Sequence, residues 1–338
     1  MILASIYIAI CTASIGSVFM LGAPDWRVLA LLAAISVAVV GVPHGGLDHW
    51  AGRRLLSRRF SDRWWLVFFI SYLSVAVGFA ASWIAFPVLT VLVFFIASAW
   101  HFGREDHKAN LNVGSGRQQI KIMQKVFGHV QCMAVGGLVI WVPALMRPDE
   151  MLWLLRSIIP ASGSGGDAQE VVLWTQWLSL ILVPIAAFVI TINVLSDPNE
   201  LKQWVPVATV AISVFTPILL SFTIFFCAWH SIQGLRRLQR RERLTNIQFA
   251  WATFPMSAMA VAGIVFIGWF FQDATSAFAV GEQSPVLQTL FIGLSAIAVP
   301  HLLLHEMEDG ASYLRSDGIR QSANSYADTL RLQKGTAS

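Results

Sequence analysis

Residues 286–305 read VLQTLFIGLSAIAVPHLLLH. The run carries no Asp, Glu, Lys or Arg, and at a rise of about 1.5 Å per residue it is long enough to cross a hydrocarbon core of roughly 30 Å as one helix. Its last turn places His301 and His305 at i and i+4, on one helical face. A polar side chain inside a membrane is costly unless it is paired or binds something, so this spaced pair reads as part of a metal-ligand set rather than as two isolated polar residues.

The rest of the chain repeats the pattern. Apolar runs recur near 2–21, 27–44, 64–85, 88–103, 124–146, 171–195, 204–230 and 249–271. Over 338 residues, 56% are hydrophobic, only 12% are charged and the mean hydropathy is +0.64. These values define an all-α polytopic transmembrane helix bundle. A single transmembrane domain is expected over 1–305, with a cytoplasmic, partly disordered tail over 306–338. Fourteen Trp and 22 Phe suit interfacial belts or the wall of an apolar cavity. Cys11, Cys132 and Cys227 show no paired spacing and read as packing residues.

A net charge of +4 could suggest nucleic acid as a partner, but the basic residues lie in short segments between apolar runs, where topology explains them. Arg53, Arg54, Arg58, Arg59 and Arg63 form one cluster, and Arg236, Arg237, Arg240, Arg241 and Arg243 another. Both belong on the cytoplasmic side by the positive-inside rule. The 104–125 loop joins them, whereas 272–285, with Asp273 and Glu282, suits the outer face. The N-terminus has no basic region before its apolar run, so it reads as a first membrane helix rather than a cleaved signal. Three crossings between Lys125 and Arg236 would separate the arginine clusters, so one segment there is broken or does not cross; the candidates are 204–230, with Pro206 and Pro217, and Met151–Ile159. With both ends cytoplasmic the expected number of spans is eight, with ten as the alternative.

His44, His101 and His230 also end apolar runs, all facing the arginine-rich side. Histidines at one depth on separate helices are what a shared site requires. His49, His107 and His129 fall in polar or mixed stretches and read as surface or packing residues. Asp48, Asp106 and Glu306 follow the histidines closely, and a carboxylate that accepts the N–H of a ligating imidazole fixes its tautomer. The glycines after His44 and His101 would let the backbone break or a neighbouring helix approach. An all-imidazole set without Cys suits Fe(II), Zn or Cu. A zinc hydrolase is disfavoured because His-Leu-Leu-Leu-His lacks the general base of the H-E-x-x-H arrangement.

Four motifs, Pro43-His44-Gly45-Gly46-Leu47-Asp48-His49, Trp100-His101-Phe102-Gly103-Arg104-Glu105-Asp106, Trp229-His230-Ser231 and Pro300-His301-Leu302-Leu303-Leu304-His305, together resemble the Brp/Blh family of bacterial and archaeal membrane-bound β-carotene 15,15′-dioxygenases. The resemblance runs from about residue 41 to 306. It implies a nonhaem Fe(II) enzyme of the cell membrane that splits the central double bond of β-carotene with O2 into two all-trans-retinal molecules, with a retinal-binding rhodopsin as product acceptor. The family's iron ligands match His44, His101, His301 and His305. His230 is placed in the second shell or the pocket wall, with Asp48, Asp106 and Glu306 behind the ligands. Phe94, Phe95, Trp100, Phe225, Phe226 and Trp229, which precede histidines on their helices, are the expected tunnel walls. The substrate is expected to enter laterally from lipid and tilt toward the cytoplasmic side. Two other readings stay open: a haem-binding electron-transfer protein, and a carotenoid binder or transporter without catalysis.

Overall fold

The computed structural model describes residues 2–111, 120–159, 166–276 and 284–335, with side chains left undescribed at 107–127, in most of 267–283 and beyond 311. All of its regular structure is helical. The helices are α1 (Ile2–Leu21), α2 (Trp26–Ser36), α3 (Asp48–Phe60), α4 (Trp64–Ala85), α5 (Pro87–Leu111), α6 (Ile120–Gly136) and α7 (Leu138–Met146) in the first half. They continue as α8 (Pro148–Ile158), α9 (Asp167–Ser196), α10 (Val205–Phe215), α11 (Ile218–Thr223), α12 (Ile232–Glu242), α13 (Asn246–Ser276) and α14 (Pro285–Gly335).

Among the described residues, seven helical stretches are long and apolar enough to span a membrane, or eight if α6 and α7, bent by 60° at Gly136–Leu138, count as one. The polytopic bundle expected from composition is therefore observed. One stretch, Trp26–Ala85, is 60 residues long and turns back on itself. Ser61, with φ of 45°, stands at the corner between α3 and α4. The 204–230 run is broken, as its prolines suggested: Thr216 is extended, and Pro217 separates α10 from α11. The Met151–Ile159 stretch lies in α8, whose Met151, Leu154, Leu155 and Ile158 are buried in the bundle. Of the expected loop 272–285, residues 272–276 with the backbone of Asp273 belong to α13, whereas 277–283 with Glu282 lie outside the described residues, as do the side chains of the 104–125 loop from His107 onward.

Two features position the site. First, both arginine clusters meet on one face of the bundle. Arg54 pairs with Glu242 at 3.0 Å and Glu308 at 2.7 Å, Arg241 also reaches Glu308, and Arg104 binds Glu306 and Asp309. These ties fasten α3, α5, α12 and α14 together at that end. Second, α14 is the central helix. Its segment through Ala311 is the most buried of the candidate spans and packs against α13, α4 and α3. Trp65, Trp174, Trp177, Trp251 and Trp269 project outward near helix ends, as belt residues do.

Close helix approach is bought with glycine. Gly103 on α5 and Gly136 on α6 cross at backbone distance: a Cβ on Gly103 would overlap the Cys132 carbonyl, and one on Gly136 would overlap the backbone of Ala99 and Gly103. Backbone on both sides leaves no flexible group to yield. Gly103→Ala is therefore expected to destabilise the bundle by about 1–3 kcal/mol, read as a lowered melting temperature in detergent. An unchanged melting temperature would contradict this packing.

Candidate metal centre

Local irregularity in the helices aims the histidines. After α2 the chain winds as a π-helix over Val37–Gly41, then as a tight 3₁₀ turn over Val42–Gly45. This carries His44 inward before α3 starts at Asp48. A second π-helical stretch, Ile224–Ser231, carries His230. Such segments shift the phase of the residues that follow and are frequent at functional sites. His101 and the pair His301 and His305 come from regular turns of α5 and α14.

The five imidazoles form one cluster. The ring centroids of His44 lie 5.1 Å from those of His230 and His301 and 6.3 Å from that of His101. His101 is 5.6 Å from His301 and 6.2 Å from His305, while His301 and His305 are 4.4 Å apart. One nitrogen from each of His44, His101 and His301 falls within 4.8 Å of the others, and His301, His305 and Asp48 make a second such group. His230 belongs to neither group; its ring packs on Phe102 at 4.5 Å and stacks on Phe226 at 5.9 Å.

The hydrogen bonds indicate which atoms are available. His301 Nδ1 donates to both oxygens of the buried Asp48 carboxylate, each at 2.9 Å. Tyr72 O–H donates to the same carboxylate at 3.0 Å. With the proton on Nδ1, the lone pair of His301 is on Nε2. That atom, both nitrogens of His44 and Nε2 of His101 are buried without a hydrogen-bond partner. Buried polar atoms are rarely left unsatisfied. Several converging imidazole nitrogens in that condition fit the donor set of a borderline transition metal.

The acidic neighbours divide. Asp48 bonds to one of the clustered rings, but that of His301 rather than of His44, four residues before it. Asp106 instead accepts from Trp229 Nε1 at 3.2 Å, and Glu306 is bound by Arg104. Tyr72, and Glu105 held by Arg237, were not anticipated from sequence. Gly234 was missed as well: a Cβ there would overlap the His44 ring. His49 lies beside Trp50, and His129 stacks on Trp100 at 4.7 Å. His107 lies outside the described side chains.

An apolar cavity of about 220 Å³ opens onto the rings of His44, His101, His230 and His301. Of the six aromatic residues expected to line it, Phe94 and Phe226 do. Trp100 stacks on His129, Trp229 turns to Asp106 and Tyr7, Phe225 packs on Phe102, and Phe95 packs against the hydrophobic core. Helix phase explains the difference. Phe94 and Ser98 precede His101 by seven and three residues, Ile297 and Leu294 precede His301 by four and seven, and Phe226 precedes His230 by four; all five face the cavity. Trp100 and Trp229, each one residue before a histidine and so rotated by about 100° from it, turn away from the cavity. Leu73, Val77 and Met259 at the cavity edge are largely exposed on the outside of the bundle.

The family model described as Beta-carotene 15,15'-dioxygenase matches residues 35–309, which contain all five clustered histidines. The chain belongs to the beta-carotene 15,15'-dioxygenase family. It is thus an enzyme of a dioxygenase family, built from membrane-type helices. The chain is 26% identical over 286 residues to a beta-carotene 15,15'-dioxygenase of an uncultured marine bacterium, 66A03, covering 83% of this chain and 92% of that protein. It is 27% identical over 227 residues to a probable beta-carotene 15,15'-dioxygenase Blh of Halobacterium salinarum, covering 63% and 62% of the two. No solved structure matches the chain.

Because a Cβ at position 234 would overlap the His44 ring, Gly234→Ala is expected to displace that ring by about 1 Å and reduce cleavage activity on the order of 100-fold. The effect would be read by steady-state assay beside a melting curve close to wild type. Full activity in a folded Gly234→Ala protein would show that the position of His44 is not critical.

Proposed function

We propose that this protein cleaves the central double bond of β-carotene with O2 at a nonhaem Fe(II) centre held by His44, His101, His301 and His305, giving two molecules of all-trans-retinal. The observation that carries this reading is the group of unpartnered, buried imidazole nitrogens opening into an apolar cavity, in a chain of the carotene dioxygenase family.

Bound iron would supply the activation of O2, which reacts poorly with a closed-shell polyene on its own. The remaining tasks fall to the chain. Asp48 holds His301 through Nδ1 and orients its Nε2 toward the cavity, and Tyr72 holds Asp48 in turn. Phe102 and Phe226 clamp His230, which stands in the cavity wall behind His44 and His101. The apolar lining excludes water and accepts a hydrocarbon, and holding the scissile bond beside the metal contributes several kcal/mol of orientation. In the balance of the reaction the C=C bond and the O=O bond break and two C=O bonds form. No protein nucleophile and no net proton transfer are needed.

Lateral entry from lipid agrees with the cavity edge at Leu73, Val77 and Met259. The arginine-rich face, where Ile2 lies near Arg236 and Arg240 and where Glu308 meets Arg54, would be cytoplasmic. With that orientation both ends of the membrane domain would lie inside the cell, and a retinal-binding rhodopsin in the same membrane would be the product acceptor. A haem would need two facing histidines with a flat macrocycle free between them, whereas here five imidazoles crowd together at 4.4–6.3 Å, which favours a single non-haem ion.

Expression in β-carotene-producing cells is the direct test: the orange colour should fade as retinal accumulates, and His301→Ala should keep the colour. Persistence of β-carotene with the iron-loaded wild-type protein would support a binder or transporter instead. Asp48→Asn, which leaves the His301 ring in place but weakens its orientation, is expected to lower iron affinity about 10- to 100-fold. This would be measured by metal competition, and an unchanged affinity would remove Asp48 from the site.

A further inference from the structure

A second apolar cavity, of about 540 Å³, adjoins the first along α2, α13 and α14. The two share Val42 in their walls. On α14 the first cavity is lined from Leu302 back to Leu294, and the second takes over at Leu290, Thr289 and Val286. On α13 the lining passes from Met256–Gly263 to Val261–Trp269, and along the π-helical stretch and α2 it passes from Gly41 back to Ala38 and Ala34. All three helices thus carry the apolar space away from the histidines in one direction.

The distances suit one half of a carotenoid. An extended molecule of this class is about as long as the roughly 30 Å hydrocarbon core, so each half reaches about 15 Å from the bond that is cut. At about 1.5 Å per residue that is ten residues of helix. Ten residues back from His44 is Ala34, and eleven back from His301 is Leu290; both line the second cavity. Ala34 in α2 and Ala38 in the π-helical stretch that follows it both line the cavity and leave the width there that a bulky terminal ring needs.

We propose that this second cavity is the binding subsite for one ring-bearing end of the substrate, and that its distance from the histidines helps select the central double bond. The inference rests on the proposed carotene-cleaving function. Val42 stands where the polyene passes from one cavity to the next. Filling the subsite from α2 would shorten the arm without touching any histidine.

The test compares two substrates with purified, iron-loaded protein: β-carotene, which has a ring at each end, and a shortened apocarotenal with one ring. In the Ala38→Phe and Ala34→Phe variants, the ratio of kcat/KM for β-carotene to that for the apocarotenal should fall on the order of tenfold or more. The apocarotenal can place its only ring in the other direction and should still be cleaved. Val39→Phe, on the same helix but 68% exposed and outside both cavities, should leave the ratio unchanged. Ala38→Val provides a milder step, in which the ratio should move the same way by less, should the larger side chains prevent folding. An unchanged ratio in folded, iron-loaded Ala38 variants would overturn the subsite, as would equal loss of both substrates. Failure of the wild type to cleave either compound would instead refute the carotene-cleaving function itself.

Discussion

The bond from His301 Nδ1 to the Asp48 carboxylate is the constraint on which the rest of the site depends. It joins α14, the most buried span, to the start of α3 just after the irregular turn that carries His44. A carboxylate buried to 4% exposure is costly unless its lone pairs are occupied, and here His301 and Tyr72 occupy them. The consequence reaches beyond stability. With its Nδ1 engaged, His301 has only Nε2 to offer, and that atom points into the space shared with His44 and His101.

Around this bond the bundle separates two environments over a short distance. On one side, arginines and carboxylates tie α3, α5, α12 and α14 together at the polar face. On the other, the lining becomes almost wholly apolar, with phenylalanine and methionine around the histidine rings. A site at this boundary can hold a charged ion close to its carboxylate and still open into space that suits a hydrocarbon. Glycine enables the boundary to be narrow: Gly234 admits the His44 ring against α12, Gly41 admits Phe226 within 2.6 Å of where a Cβ would lie, and Gly103 with Gly136 draws α5 against α6.

Much of this was legible in the sequence because membrane helices report themselves by composition, and because His301 and His305 keep an i, i+4 spacing that any helix turns into a shared face. Helix phase is legible too: counting back by three, four or seven from each histidine finds Phe94, Ser98, Ile297 and Phe226, whereas Trp100 and Trp229, nearest in sequence, turn elsewhere. Other features depend on tertiary packing and leave little local signal. Asp48 lies closest in sequence to His44 but is bonded to a ring 253 positions away. Asp106 and Glu306 turn from the histidines to Trp229 and Arg104. The π-helical phase shifts at Val37–Gly41 and Ile224–Ser231, and the need for Gly234, appear only when the helices are assembled.

X-ray absorption at the iron edge, on protein purified after loading with Fe(II), addresses the central claim most directly. The account predicts close to one iron per chain with an inner shell dominated by imidazole nitrogen, and loss of that signature in a folded His44→Ala or His101→Ala protein. A folded wild-type protein that binds no iron, or iron in a porphyrin or in a shell without imidazole, would contradict it.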